Sequence, residues 1–336
     1  SDARKSKSFL NDPIPLRKPM KDLRLPSPAE HRRRSVRLVA ETWVILLGLE
    51  GLAVTLHDAT TPVGQVACVV TVIAIGCWLH RLYTNAHEAI HKKLFPERLR
   101  LNDAVGQLLL LPLLIPLPVY RKIHAFHHGH NRRDHATSTL DGVLVRGRPG
   151  PLRRLWCSFL WYVGVFLGGY FIHGLVSIVL FLLLPQRIAC RISPAFKGWR
   201  VQDQARSWAV FGLGVALHGV LFHIWGGEAW MVMFGYPFLV FAWVYSLLVY
   251  IYHYRTSYGP EVRYNVRSVK TTRLFAWWLL NFNRHATHHR LPKTPWYLLP
   301  AMEQPLPERY RANDNVPDVR PAIWQQWKGP TLFEEP

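Results

Sequence analysis

Residues 207–251 read SWAVFGLGVALHGVLFHIWGGEAWMVMFGYPFLVFAWVYSLLVYI. A single charged side chain, Glu228, interrupts this stretch, and it follows Gly226 and Gly227 directly. The arms on either side, 207–225 and 229–251, each come close to the ~20 apolar residues that a bilayer-crossing helix needs. Two glycines and an acid between them make a tight polar turn. A lipid core offers no water to stray backbone groups, so the stretch reads as a membrane-embedded helical hairpin.

The same pattern recurs upstream. Apolar runs at 38–56 and 63–83 are joined by the short link 57–62, which carries no Lys or Arg. Residues 1–37 are basic and Pro-rich, with Arg32, Arg33, Arg34 and Arg37 just before the first run. The positive-inside bias puts that tail in the cytoplasm and the link on the opposite side. Two further runs do not read as crossings. The stretch 104–120 is short and holds Pro112, Pro116 and Pro118, while 155–184 has arginines at both ends and Gly168-Gly169 near its middle. Both are expected to be interfacial or re-entrant.

These readings predict an all-α integral membrane protein with four transmembrane helices in two hairpins (38–56 with 63–83, 207–225 with 229–251). Interfacial or re-entrant helices lie between the hairpins, and 252–336 contributes a cytoplasmic cap. The expected divisions are a cytoplasmic tail (1–37), a membrane domain (38–300) and a cytoplasmic C-terminal extension (301–336).

Composition supports this class over its rivals. Lys and Arg number 41 against 21 Asp and Glu, a net charge of +20. In a soluble protein that excess would point to nucleic acid. Here the cations crowd into the tail and the flanks of apolar runs, as cytoplasmic loops do, so no nucleic-acid partner is expected. The four cysteines form no CxxC pair, which argues against a disulfide framework or a zinc ribbon. The first 37 residues have no apolar core of a cleavable signal peptide, so the first span is expected to act as its own insertion signal.

Chemistry concentrates in three clusters: His87-Glu88-Ala89-Ile90-His91, His124-Ala125-Phe126-His127-His128 and His285-Ala286-Thr287-His288-His289. On a helix, positions i, i+3 and i+4 share a face, so each cluster presents imidazoles in a common direction. Adjacent histidines diverge by about 100°, so one cluster can feed two metals. A lone histidine on an apolar face is ordinarily a packed core residue. Three clusters that the topology places on one membrane face are not explained that way. Imidazole-rich sites suit iron, copper, zinc or nickel. Glu88, Asp103, Asp134 and Asp141 are candidates to support such ligands from behind.

HxxxH, HxxHH and HxxHH in this order resemble the membrane fatty acid desaturase and hydroxylase superfamily. Residues 289–300, HRLPKTPWYLLP, are similar to the ending common after its third box, and 265–272, NVRSVKTT, also resembles a segment of that family. The likeness covers about 85–300. It implies a membrane-bound non-haem di-iron enzyme in which His87, His91, His124, His127, His128, His285, His288 and His289 ligate two Fe ions. Family members usually add one ligand on the last span before the third box, which corresponds here to His253. His80 lies deeper along its helix and ranks below it, followed by His130 and His135; His173, His218 and His223 are expected to pack or to line a tunnel.

The implied activity is O2-dependent desaturation of a fatty acyl chain of a lipid. Hydroxylation or ketolation of an alkyl, sphingolipid or carotenoid substrate is the alternative within the superfamily. With neither a rubredoxin-like CxxC pair nor a cytochrome b5-like HPGG stretch, electrons are expected from a separate ferredoxin, rubredoxin or cytochrome b5 type donor at the basic cap. The active site is expected on the cytoplasmic face, in the bacterial inner membrane in preference to the endoplasmic reticulum. A rival reading takes His87-Glu88-Ala89-Ile90-His91 as the HExxH site of an intramembrane zinc metalloprotease, with Leu140-Asp141-Gly142 as its second element. It leaves both HxxHH clusters unexplained.

Overall fold

The computed structural model describes residues 25–134, 145–146, 150–192 and 194–333. Helix α1 (Pro28–Leu56) starts ten residues before the predicted span because Ser27 caps it and Pro28 occupies its first turn. His31, Ser35 and Leu38, spaced i, i+4, i+7, are buried along one face, which hydropathy alone does not register. Thr61 caps α2 (Pro62–Ile90) in the same manner, its side chain accepting from the Gly64 amide.

Exposure changes along α2. Val63, Val66, Val69, Val70 and Ile73 in its first half are exposed apolar side chains, whereas His80, Arg81, Asn85, His87 and Glu88 in its second half are buried. Exposed valines in a row would be a liability in water and suit lipid. The helix thus runs from a lipid-facing half into a polar protein interior. Helix α1 and the later stretch 201–230 also carry exposed apolar residues, including Val44, Leu47, Val220, Phe222 and Ile224.

After α2 come α3 (Leu99–Leu110) and α4 (Leu117–His130), then α5 (Pro151–Phe166), α6 (Gly169–Leu183) and α7 (Gln186–Ile192). The run from α3 turns into α4 by 98°, and α5 turns into α6 by 93°. The second bend sits at Gly168, whose φ of 82° is the left-handed conformation that glycine adopts without a Cβ clash. The two Pro- and Gly-interrupted runs are therefore right-angle pairs rather than straight helices.

Helix α8 (Val201–Trp230), a π-helical turn (Met231–Gly235) and α9 (Tyr236–Val249) follow. Among the described residues, three helical runs are long and apolar enough to cross a membrane, 28–56, 62–90 and 201–249, and up to five if each bent pair counts as one. The third run is not straight. His218 and Phe234 have ring centroids 4.8 Å apart, although sixteen residues of continuous helix would separate them by about 24 Å. The reversal occurs at Gly226 (φ 79°), as the Gly-Gly-Glu turn predicts.

Helix α2 packs against α1, α3 and α9. Its approach to α9 requires Gly76, because a Cβ there would lie 2.7 Å from the Pro237 carbonyl oxygen.

The segment beyond α9 holds α10 (Arg273–Trp278), α11 (His285–Arg290) and α12 (Val319–Gln325). Two residues of strand, β1 (Val145–Arg146), pair in parallel with β2 (Leu332–Phe333), a small departure from the all-α expectation. Buried polar side chains hold this irregular region. Arg267 donates from Nε to the Ile251 carbonyl at 2.8 Å and from Nη2 to Gln325 Oε1 at 2.9 Å. Arg81 of α2 donates to the carbonyls of Trp277 and Trp278 and pairs with Glu41 at 2.9 Å, which clamps α10 onto the first hairpin.

Candidate metal centre

Four different supports carry the nine histidines. His87 ends α2 and His91 caps it; His124, His127 and His128 lie on one side of α4; His285, His288 and His289 occupy the short helix α11; His253 sits in the turn just after α9. Two asparagines fix the last elements relative to α4. Asn131, at the end of α4, donates from Nδ2 to the Asn265 carbonyl at 2.8 Å, and Asn265 Nδ2 donates to the Arg132 carbonyl at 3.1 Å.

The imidazoles gather in two groups, His87, His91, His124, His128 and His288 in one, and His127, His253, His285 and His289 in the other. Within each group the ligand atoms lie within 4.8 Å of one another. In the first, Nε2 of His124 stands 3.0 Å from that of His87, 2.9 Å from that of His91 and 2.9 Å from that of His128, and His128 is 3.0 Å from His288. In the second, His253 to His285 is 3.0 Å, His285 to His289 3.1 Å and His127 to His289 3.2 Å.

Those contacts are not a hydrogen-bond network. A neutral imidazole has one N–H, and His124 Nε2 cannot be shared with three other ring nitrogens. Nor are the rings charged. Burial first, and then neighbouring imidazoles, hold His91, His253, His285, His288 and His289 well below the ordinary histidine range, so they present lone pairs. Lone pairs aimed at a common point repel unless a cation occupies it.

The spacing also fits. Two nitrogens about 2.1 Å from one ion are about 3.0 Å apart at a right angle and about 3.4 Å apart at a tetrahedral angle. The observed separations of 2.9–3.2 Å follow the right-angle value. Among the described residues, Nδ1 of His87, His285, His288 and His289 has no hydrogen-bond partner, so packing rather than hydrogen bonding sets these ring orientations.

Three of the carboxylates expected behind the ligands, Glu88, Asp103 and Asp134, have partners of their own. Glu88 Oε1 pairs with buried Lys93 at 2.7 Å, its Oε2 accepts from the Trp296 amide at 3.1 Å, and His87 Nδ1 is 3.8 Å away. Asp103 pairs with Arg121 at 2.6 Å, and Asp134 lies 3.8 Å from Arg133 Nε. His135 and the Leu140-Asp141-Gly142 element lie outside the described residues. His80 stacks on Trp278 at 4.9 Å and joins neither group. His130 Nδ1 contacts the Phe126 carbonyl and His218 Nε2 the Pro112 carbonyl.

A cavity of about 220 Å³ opens beside both groups, lined by His87, His124, His127, His253 and His285 on one side and largely by aromatic and aliphatic residues elsewhere. His80 and His173 also line it. Sequence reading passed over a tyrosine set in its wall. Tyr83 stacks on Tyr120 at 4.7 Å and meets Tyr245 edge-on at 5.3 Å. A signal existed: Tyr83 precedes His87, and Tyr120 precedes His124, by one helical turn.

Residues 64–319 match the family model described as fatty acid desaturase, most of the chain and all three histidine clusters. The chain belongs to the fatty acid desaturase family. It is similar to a chloroplastic omega-3 fatty acid desaturase of Glycine max, with 24% identity over 242 residues, 67% of this chain and 51% of that protein. The chain thus spans about half the length of the curated relative it matches. The geometry also argues against the HExxH protease reading, because Glu88, which would have to be the base, is tied to Lys93 and Trp296, and His87 and His91 share their group with three more imidazoles.

Proposed function

We propose that this chain is an O2-dependent oxidoreductase that holds two iron ions and desaturates a fatty acyl chain, drawing electrons from a separate donor protein. The observation that carries this reading is the cavity wall shared between imidazoles of both groups and apolar rings. His87, His91, His124, His128 and His288 would hold one ion; His127, His253, His285 and His289 would hold the other. Bound there, the ions supply the activation of O2 that makes a hydrogen on an unactivated CH2 removable.

The protein's own part is positional. Apolar lining from Phe171, Ile178, Tyr245 and Leu248 favours a hydrocarbon chain over water. Confinement beside the imidazoles presents one stretch of that chain to the centre and excludes side reactions with solvent. All-nitrogen, near-right-angle donor sets support iron over structural zinc, which favours tetrahedral sites. The exposed apolar flanks of α1, α2 and α8 place the protein in a membrane, where acyl chains are at hand. A cytoplasmic orientation follows from the arginines around the apolar runs, and the bacterial inner membrane is the preferred setting.

Expression with a reducing partner, followed by lipid mass spectrometry and metal analysis, tests this. Acyl chains lighter by 2 Da, with about two irons per chain, are expected for a desaturase. A gain of 16 Da would replace desaturation by hydroxylation, and a single zinc would overturn the proposal.

A further inference from the structure

Trp324 and Trp327 stand out on the C-terminal segment because both indoles are exposed, at 73% and 50%. Large aromatic rings facing water are a liability, and a pair of them marks a contact surface. Their ring centroids are 6.0 Å apart, and Trp327 stacks on Phe166 of α5 at 4.2 Å. Helix α5 extends the same kind of surface: Leu152, Leu155 and Trp156, in its first two turns, are each more than half exposed.

Hydrogen bonds fix the level at which this surface lies. Buried Gln326 donates from Nε2 to the Leu247 carbonyl at 3.0 Å, two residues before the end of α9. Trp161 Nε1 donates to the Gln326 carbonyl at 2.8 Å, and the Tyr162 hydroxyl donates to the Trp327 carbonyl at 2.9 Å. The two tryptophans are thus pinned beside the end of a membrane helix. Trp243, half exposed on α9, donates from its indole to the Phe166 carbonyl at 3.0 Å. Phe166 therefore links the Trp327 ring to the flank of α9, where Leu239, one turn before Trp243, is an exposed apolar side chain.

Whatever covers this surface must accept indoles and cations together. Arg153 and Arg154 near the start of α5, and Lys328 next to Trp327, are all exposed. Tryptophan concentrates where hydrocarbon meets headgroups, since its ring is apolar and its N–H seeks a polar partner. Lysine and arginine at that level are drawn to the negative charge of a lipid leaflet. A bilayer that bounds α9 at Leu239 reaches Trp327 along one continuous surface, with no further partner.

We infer that the segment around Trp324 and Trp327, together with the start of α5, is seated in the headgroup layer of an anionic leaflet. The extension expected in the cytoplasm thereby returns to the membrane surface. This seat connects to the histidines through the chain: the Tyr254 hydroxyl donates to the Gly329 carbonyl at 2.7 Å, and Tyr254 follows His253 directly. The inference rests on the membrane reading, and on neither the metal nor the substrate.

The test is photo-cross-linking of the full chain in nanodiscs made from equal parts of phosphatidylcholine and phosphatidylglycerol. The photoreactive residue p-benzoylphenylalanine replaces Trp324, Trp327, Leu239 or Arg309 in turn, and peptide mass spectrometry identifies what each has captured. Leu239 serves as the lipid-facing control, and Arg309, exposed on the same extension, as the aqueous one. Lipid adducts are expected at 324 and 327, as at 239, and not at 309. At 324 and 327 phosphatidylglycerol should be captured about fivefold over phosphatidylcholine, the preference that one cation near the leaflet confers. Positions 324 and 327 free of lipid beside a labelled 239, adducts to polypeptide in place of lipid, capture at 309 equal to that at 324, or equal capture of the two lipids would overturn the inference. A position 239 free of lipid would overturn it together with the membrane reading on which it rests.

Discussion

His127 and His128 are neighbours in sequence but belong to different imidazole groups: Nε2 of His127 lies 3.2 Å from that of His289, while Nε2 of His128 lies 3.0 Å from that of His288. One helical turn on α4 and one on α11 therefore each feed both groups. Removing either residue should deplete one centre and spare the other. Because His127 sits in a group of four and His128 in a group of five, His127→Ala should cost more metal. Iron is expected to fall from about two per chain towards about one in His127→Ala, and by less in His128→Ala, in plasma mass spectrometry.

His253 and His80 both line the imidazole cavity, yet only His253 touches another ligand candidate, at 3.0 Å from His285. His253→Ala should lose iron from the smaller group. His80→Ala should retain the wild-type iron content, since its ring stacks on Trp278 outside both groups. Equal iron loss in the two variants would refute this distinction.

Glu88 and Lys93 form a buried pair, each less than 5% exposed. Glu88→Leu leaves an ammonium without a partner, and Lys93→Met leaves a carboxylate. Each single change should destabilise by about 3–5 kcal/mol, and the double variant by clearly less than their sum. Thermal unfolding of all three in detergent completes the cycle.

Acid should unfold the metal-depleted protein readily. His91, His253, His285, His288 and His289 are held neutral in the folded chain by burial, whereas an unfolded chain takes up protons near pH 6.5. Below that pH the unfolded state binds more protons than the folded one, so stability falls as pH falls. The slope is about 1.4 kcal/mol per pH unit for each proton taken up. Melting curves from pH 8 to pH 5 should show a progressive drop, reduced when iron is bound.

Gly76 sets the approach of α2 to α9. In Gly76→Ala the new methyl would lie 2.7 Å from the Pro237 carbonyl oxygen, which is backbone and cannot swing aside. A loss of about 1–3 kcal/mol is expected from overpacking, seen as a lower melting temperature. Disturbance should extend to the metal content, because α2 ends in His87 and α9 leads to His253.

Much of this protein was legible in its sequence. Unbroken apolar runs and the Gly226-Gly227-Glu228 turn are local signals, since lipid forces every buried backbone group to bond within its own helix. The histidine clusters were equally legible, because i, i+3, i+4 spacing fixes a helical face whatever the helix packs against. The start of α1 at Pro28 was not, since its polar residues are buried by contacts with distant chain: His31 bonds to Tyr297 and to the Lys93 carbonyl. Only tertiary structure could divide nine histidines between two groups, turn Glu88 away from them towards Lys93, and set Trp327 of the C-terminal segment against Phe166 of α5. Periodicity orders residues along one element, whereas these pairings join elements up to two hundred residues apart, and their geometry exists only once the chain has folded.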